Sequence, residues 1–312
     1  MGLSIHLETY TGKVNEVTFG VEKPLKIGGE NTLPFHSFEG TLPNRPVIAY
    51  EIQDVPPDDW HETLLSAYGD VTNDPVRWAK YCEDTLMADA IALRLIGTHP
   101  DGQDRTPEQA AETVRDVLSA IKVPLIILGS NSIEKDPQVL VSASNAAKGK
   151  NCIIGKAQET NYKTIVAAAL ANDHKLIAMS ELDINLSKQL NILITQMGFD
   201  KERIIIDPMC SALGYGIEYS YSVMERIRLS ALAQNDIVMQ QPMIGDVGMY
   251  VWKVKEALAS ESDLPNWGDQ KARGILWECV TALALMLAGA ELLIMRHPDA
   301  VRSLREFIQE LM

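Results

Sequence analysis

Polar side chains follow short apolar runs at regular intervals along the chain, and their types indicate what chemistry a shared site could perform. They are Gln53, Asp54, Arg94, Asn131, Lys156, Glu159, Ser180, Asp183, Asp207, Asp246, Arg296 and His297. If the runs are parallel strands of a barrel, these residues meet at the C-terminal face, where barrel sites are built. A mixture of carboxylates, amides and a guanidinium suits hydrogen bonding to a heterocycle or to amide side chains. It resembles neither a metal cage nor a phosphate site.

Some of these residues have structural roles that compete with a role in binding. Asp183 is well placed to cap the helix that follows it, and Arg296 could pair with a neighbouring carboxylate. Asp207 and Asp246 have no evident capping partner, which favours a functional role. The turn Gly214-Tyr215-Gly216 either leads tightly into a helix or offers a backbone edge that a flat ligand can approach closely.

The cysteines and histidines argue against several kinds of site. The four cysteines are Cys82, Cys152, Cys210 and Cys279, and no two of them form a C-x-x-C pair. We therefore expect no iron–sulfur cluster held by this chain and no metal site. Cys152 and Cys279 are interpreted as core residues, and Cys210 as the one placed to meet a ligand. The histidines form no H-x-x-x-H pair, and neither a G-x-S-x-G motif nor a Walker loop is present.

Eight short apolar runs, each followed by a stretch of helical periodicity, must position these side chains. The runs are Val47–Ile52, Ala90–Leu95, Pro124–Leu128, Cys152–Ile154, Lys175–Met179, Ile204–Ile206, Pro242–Ile244 and Leu292–Met295. They barely alternate in polarity, which is typical of strands buried on both faces. Eight strand–helix units predict an α/β fold, a (β/α)8 TIM barrel over residues 47–312. An open doubly wound sheet is the alternative.

Helix-start signals lie between the runs, as the barrel requires. Thr106, followed by Pro107 and Gln109, forms a capping box with proline at the first helical position. Asp74-Pro75 and Asp136-Pro137 predict two further helix starts, and Pro298 begins a helix directly after the eighth run.

Three segments fall outside the repeat. Residues 1–46 form an N-terminal extension, in which Ile5–Tyr10 and Val14–Phe19 predict a β-hairpin that could close the bottom of the barrel. Val55–Asn73 is predicted to be a long acidic loop. After the seventh run, a helix at about Met249–Ala259 is followed by a polar linker, and long excursions at this face are usually functional or contact a partner.

Composition limits the classes of partner. The formal net charge of −14 argues against nucleic acid, because phosphate neutralisation needs a basic surface. No run approaches the length of a transmembrane helix, and the N-terminus has no signal-peptide pattern, so we expect no membrane contact and a cytoplasmic location.

Long strings between residue 33 and the end of the chain resemble one protein family. Among them are Leu33-Pro34-Phe35-His36, Asn44-Arg45-Pro46-Val47, Asp183-Ile184-Asn185, Gly214-Tyr215-Gly216-Ile217-Glu218-Tyr219, Arg273-Gly274-Ile275-Leu276-Trp277-Glu278 and Met295-Arg296-His297-Pro298. The chain is similar to the small (delta) subunit of the corrinoid iron–sulfur protein of the reductive acetyl-CoA pathway. The archaeal counterpart of that subunit is the delta subunit of acetyl-CoA decarbonylase/synthase.

The resemblance implies a heterodimer that carries methyl groups. A large subunit would hold the iron–sulfur cluster and most of the contacts to cobalamin, and this chain would cover the cobalt face of the corrin. The pair would take a methyl group from methyltetrahydrofolate through a separate methyltransferase and pass it to CO dehydrogenase/acetyl-CoA synthase. The cobalamin motif D-x-H-x-x-G is absent, so no histidine here is positioned by sequence to bind cobalt. No catalytic base is expected on this chain.

Under this hypothesis the C-terminal face packs over the corrin. The residues expected to bind the cofactor are Asp54, Asn131, Asp183, Asp207, Gly214, Tyr215, Gly216, Asp246 and Arg296. The alternative is a pterin-binding methyltransferase barrel, in which Asp54, Asn131, Asp183 and Asp207 would hold the pterin. A purely architectural subunit without ligand contact is a third possibility.

Overall fold

The computed structural model describes residues 7–312, and its centre is a closed barrel of eight parallel strands. Two short antiparallel strands come first, β1 (Val17–Phe19) and β2 (Leu25–Ile27). The barrel strands are β3 (Val47–Gln53), β4 (Ala90–Arg94), β5 (Leu125–Leu128), β6 (Ile153–Ala157), β7 (Lys175–Met179), β8 (Ile204–Asp207), β9 (Met243–Asp246) and β10 (Ala290–Met295). Each pairs with the next, and β10 pairs with β3. The predicted barrel is confirmed.

Both faces of the barrel strands are buried, which explains why the runs barely alternate in polarity. One cluster of apolar side chains fills the barrel interior and includes Val47, Ala49, Ala90, Ala92, Ile126, Leu128, Ile153, Ile177, Ile205, Ile244, Leu292 and Ile294. The intervening residues, such as Ile48, Tyr50 and Ile52, pack outward against the helices in a second, larger cluster.

The helices surround the barrel. They are α1 (Glu62–Tyr68), α2 (Pro75–Asp84), α3 (Pro107–Ala120), α4 (Asp136–Ala146), α5 (Tyr162–Ala171), α6 (Ile184–Gln196), α7 (Ile217–Leu232), α8 (Val247–Val251), α9 (Lys255–Leu258), α10 (Gln270–Leu287) and α11 (Pro298–Leu311). The capping box at Thr106 is present, with both of its hydrogen bonds. The helix starts predicted at Asp74-Pro75, Asp136-Pro137 and Pro298 are confirmed.

Two predictions for the segments between the strands, one of a loop and one of a helix, were wrong in detail. Val55–Asn73 is not a plain loop, because it contains α1 and a 3-10 turn over Gly69–Asn73. Trp60 and Tyr68 pack edge-on against Trp78 of α2 and bury this segment. The helix predicted at Met249–Ala259 is divided into α8 and α9.

The N-terminal hairpin exists, but only one of its strands was predicted: β1 lies within Val14–Phe19, whereas its partner is β2 and not Ile5–Tyr10. Residues 5 and 6 lie outside the described part of the chain, and Leu7–Tyr10 is not a strand. Gly12 is not the turn of a hairpin: its N–H donates to the carbonyl of Leu232, and a Cβ there would lie 1.9 Å from the Ala231 oxygen. The turn instead follows Gly20, whose φ is +83°.

The hairpin closes the N-terminal end of the barrel. Val17, Phe19 and Ile27 are buried and join the interior cluster of the barrel strands. The division of the chain into separate domains at residue 46 stays a prediction. Across residues 7–312, no helix combines the length and the apolarity needed to cross a bilayer.

Candidate functional site

Six charged side chains fill the C-terminal mouth of the barrel, and we call them the ion network: Glu51, Arg94, Lys156, Asp207, Asp246 and Arg296. Each is at most 8% exposed. The sequence places five of them there by continuing the inward-facing alternation of a strand. Glu51 follows Val47 and Ala49 in this way, and Arg94 follows Ala90 and Ala92.

The contacts of the ion network run across the mouth. Arg94 Nη2 lies 3.0 Å from Glu51 Oε2 and 2.9 Å from Asp246 Oδ2. Lys156 Nζ lies 2.7 Å from Asp246 Oδ2 and 2.9 Å from Asp207 Oδ2. Arg296 Nη2 lies 2.7 Å from Glu51 Oε1. Three carboxylates therefore face three cations, and the network as a whole is neutral.

The ion network favours the charged forms of Asp246, Glu51 and Lys156. Burial by itself would raise the pKa of Asp246, but the charges of Arg94 and Lys156 outweigh it and hold that pKa well below its usual value. Glu51 also has a lowered pKa, because Arg296 and Arg94 outweigh its burial. The pKa of Lys156 is raised, since Asp207 and Asp246 outweigh the opposing effect of burial. These carboxylates are committed to cations.

Glu278 of α10 supports the network from behind. Its Oε1 accepts a hydrogen bond from the backbone N–H of Arg296 at 2.6 Å, and its Oε2 accepts one from the indole N–H of Trp252 at 2.9 Å. Burial raises the pKa of Glu278 to about 7, and these hydrogen bonds only partly oppose that effect.

The raised pKa of Glu278 predicts a pH effect on stability. The folded state binds this proton more tightly than the unfolded chain does. The stabilisation that the protonated carboxyl gives to the folded state is therefore fully present below the unfolded pKa of 4.5 and is lost as pH rises through about 7. We expect the difference in Tm between the wild type and Glu278→Gln to shrink between pH 5 and pH 8. Calorimetry measures it, with Glu310→Gln on the exposed side of α11 as a control. Parallel Tm curves for the wild type and Glu278→Gln would contradict the prediction.

The residues predicted to bind a cofactor fall into two groups. Asp54, Asp207, Asp246 and Arg296 are buried, and the last three belong to the ion network. Asp54 holds the loop after β4, because its carboxylate accepts hydrogen bonds from the Gly97 N–H and from Arg105, both at 2.8 Å. The predicted pairing of Arg296 with a carboxylate is observed, and the partner is Glu51.

The other predicted residues reach the surface. Asn131, Gly214 and Tyr215 are exposed, and Asp183 and Gly216 are half-buried. Asp183 caps α6, accepting from the Asn185 N–H at 2.6 Å and from the Leu186 N–H. Binding of a cofactor by any of the nine stays a prediction.

An aromatic surface flanks the glycine turn, and we call it the aromatic rim: Tyr215, Tyr219, Trp267 and Trp277. The Tyr215 hydroxyl donates to Glu256 at 2.6 Å and so joins the loops after β8 and β9. Trp277 donates to the Leu213 carbonyl, and Trp267 stacks on Trp277 with ring centres 5.9 Å apart. Tyr219, in the first turn of α7, is 65% exposed. The rim is a largely apolar edge of the C-terminal face, in which hydrogen bonds hold Tyr215 and Trp277.

Sequence reasoning missed Glu51, Glu278 and the aromatic rim as a unit. Glu51 carried a signal, because it is a lone charge inside the first apolar run and a buried charge requires a partner. Glu278 had no comparable signal, since its partners, the Trp252 indole and the backbone N–H groups of Arg296 and His297, lie in other segments of the chain.

The four cysteines are buried and lack disulfide bonds. Burial raises the pKa of the Cys210 thiol, which belongs to the apolar cluster between the barrel and the helices and lies beside Gly245. Across residues 7–312, no three histidine, cysteine or acidic side chains are grouped so that they could hold a metal ion.

Comparison of the fold with solved structures finds pterin-related barrels. Dihydropteroate synthase from Xanthomonas albilineans, with 4-aminobenzoic acid, has a TM-score of 0.58 over 89% of this chain and 97% of that one, at 14% identity. The enzyme from Coxiella burnetii, with pteroic acid, has a TM-score of 0.57 over 89% and 97%, at 12% identity. At such low identity the likeness concerns the fold alone.

Comparison of sequences finds relatives along nearly the whole chain. Delta subunits of the acetyl-CoA decarbonylase/synthase complex are 36% identical in Methanocaldococcus jannaschii, 37% in Methanothermobacter thermautotrophicus and 35% in Archaeoglobus fulgidus. The matches cover 96–97% of this chain and 70–76% of the relatives. Residues 16–307 also match the family described as CO dehydrogenase/acetyl-CoA synthase delta subunit. The chain therefore belongs to the delta-subunit family of the CO dehydrogenase/acetyl-CoA synthase complex.

Proposed function

We propose that this chain is the small subunit of a heterodimeric corrinoid iron–sulfur methyl carrier and that it covers the cobalamin held mainly by its large subunit. The observation that carries the proposal is the ion network. Because mutually paired charges fill the barrel mouth, a ligand at this face has to lie outside the ion network, on the loops that surround it, rather than inside the barrel. A large flat group on a partner suits that arrangement better than a small buried substrate does.

The exposed residues of the C-terminal face fit the periphery of a corrin. Asn131 and Asp183 offer polar groups at one side of the face, and the Gly214–Gly216 turn offers backbone that can be approached closely. Tyr215 and Tyr219 add apolar area beside that turn. His297 is 1% exposed and its Nδ1 accepts the Asp299 N–H, so it is a helix cap. These residues suit contacts to the corrin edge, with cobalt ligation left to the partner.

The residues of this chain would bind, orient and exclude water. Cobalamin, when bound, supplies a cobalt centre that accepts and releases a methyl group. A dry surface of this chain over the cobalamin would protect it from oxidants and would have to move away for methyl transfer. The ion network would keep the floor of that surface rigid, because its six side chains restrain one another. None of its carboxylates is placed to act as a general base.

The family membership supports partners in the same pathway. We propose a stable contact with the large subunit that carries the iron–sulfur cluster. Transient contacts would be made with the methyltetrahydrofolate methyltransferase and with CO dehydrogenase/acetyl-CoA synthase, all in the cytoplasm. The four cysteines of this chain are buried and form no C-x-x-C pair, which suits a division in which the large subunit holds the iron–sulfur cluster.

The proposal predicts what the chain contains when it is purified alone and with its large subunit under anaerobic conditions. Alone, it should show neither stoichiometric iron and sulfide nor corrin absorption, and it should not bind methyltetrahydrofolate. The co-purified pair should show the corrin spectrum and accept a methyl group from the methyltransferase. Iron in the isolated chain would contradict the division of labour. Tight binding of methyltetrahydrofolate would instead favour the pterin-binding alternative, for which Asp54 and Asp207 are poorly available.

A further inference from the structure

A groove opens beside the barrel mouth at the C-terminal face. It lies between α6 and the loops after β6 and β7, and its volume is about 240 Å³. Met179, Leu190 and Leu193 supply buried or half-buried apolar side chains to its wall. Ile133 and Leu186 also line it and are 52% and 43% exposed, so the groove is open to solvent. We call it the α6 groove.

Two carboxylates give the α6 groove a negative charge. Glu159, after β6, and Glu181, after β7, line the groove and are exposed. In the part of the chain that the structure describes, neither takes part in an ion pair or a side-chain hydrogen bond. The other lining side chains are uncharged, so none of them neutralises the two glutamates. By contrast, Asp183 at the same face caps α6, and Asp207 belongs to the ion network.

The α6 groove adjoins residues that we assign to the proposed interface. Asn131 precedes Ile133 by two positions, and Asp183 lies between Glu181 and Leu186 in the chain. A partner that covers the C-terminal face would therefore extend over the groove as well. An exposed apolar surface with a polar edge is typical of such contact sites.

The charge of the α6 groove distinguishes between candidate occupants. A second copy of this chain would bring another formal charge of −14, and like charges across an interface repel each other. A lysine or arginine side chain fits both parts of the groove. Its methylene stem can cover the apolar wall while its charged head stays hydrated beside the carboxylates.

We propose that the α6 groove receives a lysine or arginine side chain of the large subunit. This inference rests on the proposed function, which supplies the partner, and it adds the chemistry of one contact. Glu159 and Glu181 meet the cation, and Ile133 and Leu186 pack against its stem. A contact of this kind orients the partner and favours its association.

Removal of the two charges tests the electrostatic part of the proposal. Glu159→Gln/Glu181→Gln keeps the size of both side chains. Its dissociation constant for the corrinoid-loaded large subunit, measured by anaerobic calorimetry, should rise about tenfold at low salt, and the difference should shrink at high salt. Glu306→Gln/Glu310→Gln removes the same charge from exposed positions of α11, on the opposite side of the barrel from β6, and should change nothing. Equal effects of the two double variants, or unchanged binding by the first, would overturn the proposal.

Leu186→Ala tests the apolar part. It should weaken binding at low and at high salt alike, because it removes apolar contact and no charge. Leu170→Ala is the matched control, since Leu170 is 42% exposed near the end of α5, at the N-terminal face. An effect of Leu186→Ala that vanishes at high salt, or that is no larger than the effect of Leu170→Ala, would overturn the proposal.

The wild-type pair separates this proposal from the proposed function. If the wild-type chain binds the corrinoid-loaded large subunit and the groove variants bind it equally well, only the assignment of the α6 groove fails. If the wild-type chain does not bind the large subunit at all, both proposals fail. At saturating large subunit, the groove variants should retain the cobalt(I) lifetime of the wild-type pair, because they leave the aromatic rim unchanged.

Discussion

Replacing Asp246 with asparagine is expected to lower the free energy of unfolding by about 3–5 kcal/mol. The substitution keeps the shape of the side chain but removes the charge that faces Arg94 and Lys156, both buried. The neutral ion network then carries one unpaired positive charge in a region closed to water. Chemical denaturation, followed by circular dichroism, measures the loss, and Tm should fall by about 6–10 °C.

An exposed pair provides the matched control for Asp246. Lys80 and Asp84 lie one turn apart on α2 at 3.0 Å, with both side chains more than half exposed. Asp84→Asn makes the same chemical change, but its effect on Tm should be too small to measure, because exposed ion pairs contribute little. If the two variants lost similar stability, the ion network would not be the closed electrostatic unit described above.

Replacing Tyr219 with alanine is expected to raise the dissociation constant for the corrinoid-loaded large subunit by about thirtyfold, or about 2 kcal/mol. This expectation rests on the proposed function and on the exposure of Tyr219 in the aromatic rim. Exposed tyrosines with an apolar ring are frequent anchors of interfaces. Anaerobic calorimetry measures the affinity. The lifetime of cobalt(I) in the pair, followed by its absorption, should shorten in parallel.

Met87 offers the control for Tyr219. It precedes β4 at the N-terminal face and is 70% exposed, so Met87→Ala removes a similar apolar surface on the other side of the barrel. It should leave the affinity and the cobalt(I) lifetime unchanged. Weaker binding by Met87→Ala with normal binding by Tyr219→Ala would place the large subunit at the N-terminal face and contradict the prediction. Gly214 is less suited to such a test, because its φ of +78° strains any other residue.

The barrel could be predicted because each of its eight units carries its own local signal. The runs are apolar on both faces, and helix starts such as Thr106-Pro107 are readable from adjacent residues. The hairpin could not be predicted correctly, because the position of Gly12 depends on its contact with Leu232, far away in the sequence. The same holds for α1, whose burial depends on the packing of Trp60 against Trp78.

The location of the candidate site could be predicted from the sequence, but most of the ion pairs within it could not. The strand ends correctly located Asp207, Asp246 and Arg296 at one face. The sequence indicated a carboxylate partner only for Arg296. The pairing of the other charges could not be predicted, because it depends on the closure of the barrel. Glu51 completes that pairing, and its position inside an apolar run was the available clue.

The ion network also bears on how fast the molecule unfolds. Glu51 and Arg296 are 245 residues apart in sequence, and Arg94 and Asp246 are 152 apart. Contacts between such distant residues form only after long loops have closed, so they are expected to be absent until the first and last strands meet. Interactions that form after the folding transition state slow unfolding without speeding folding. The network would therefore lower the unfolding rate of the closed barrel and leave its folding rate unchanged.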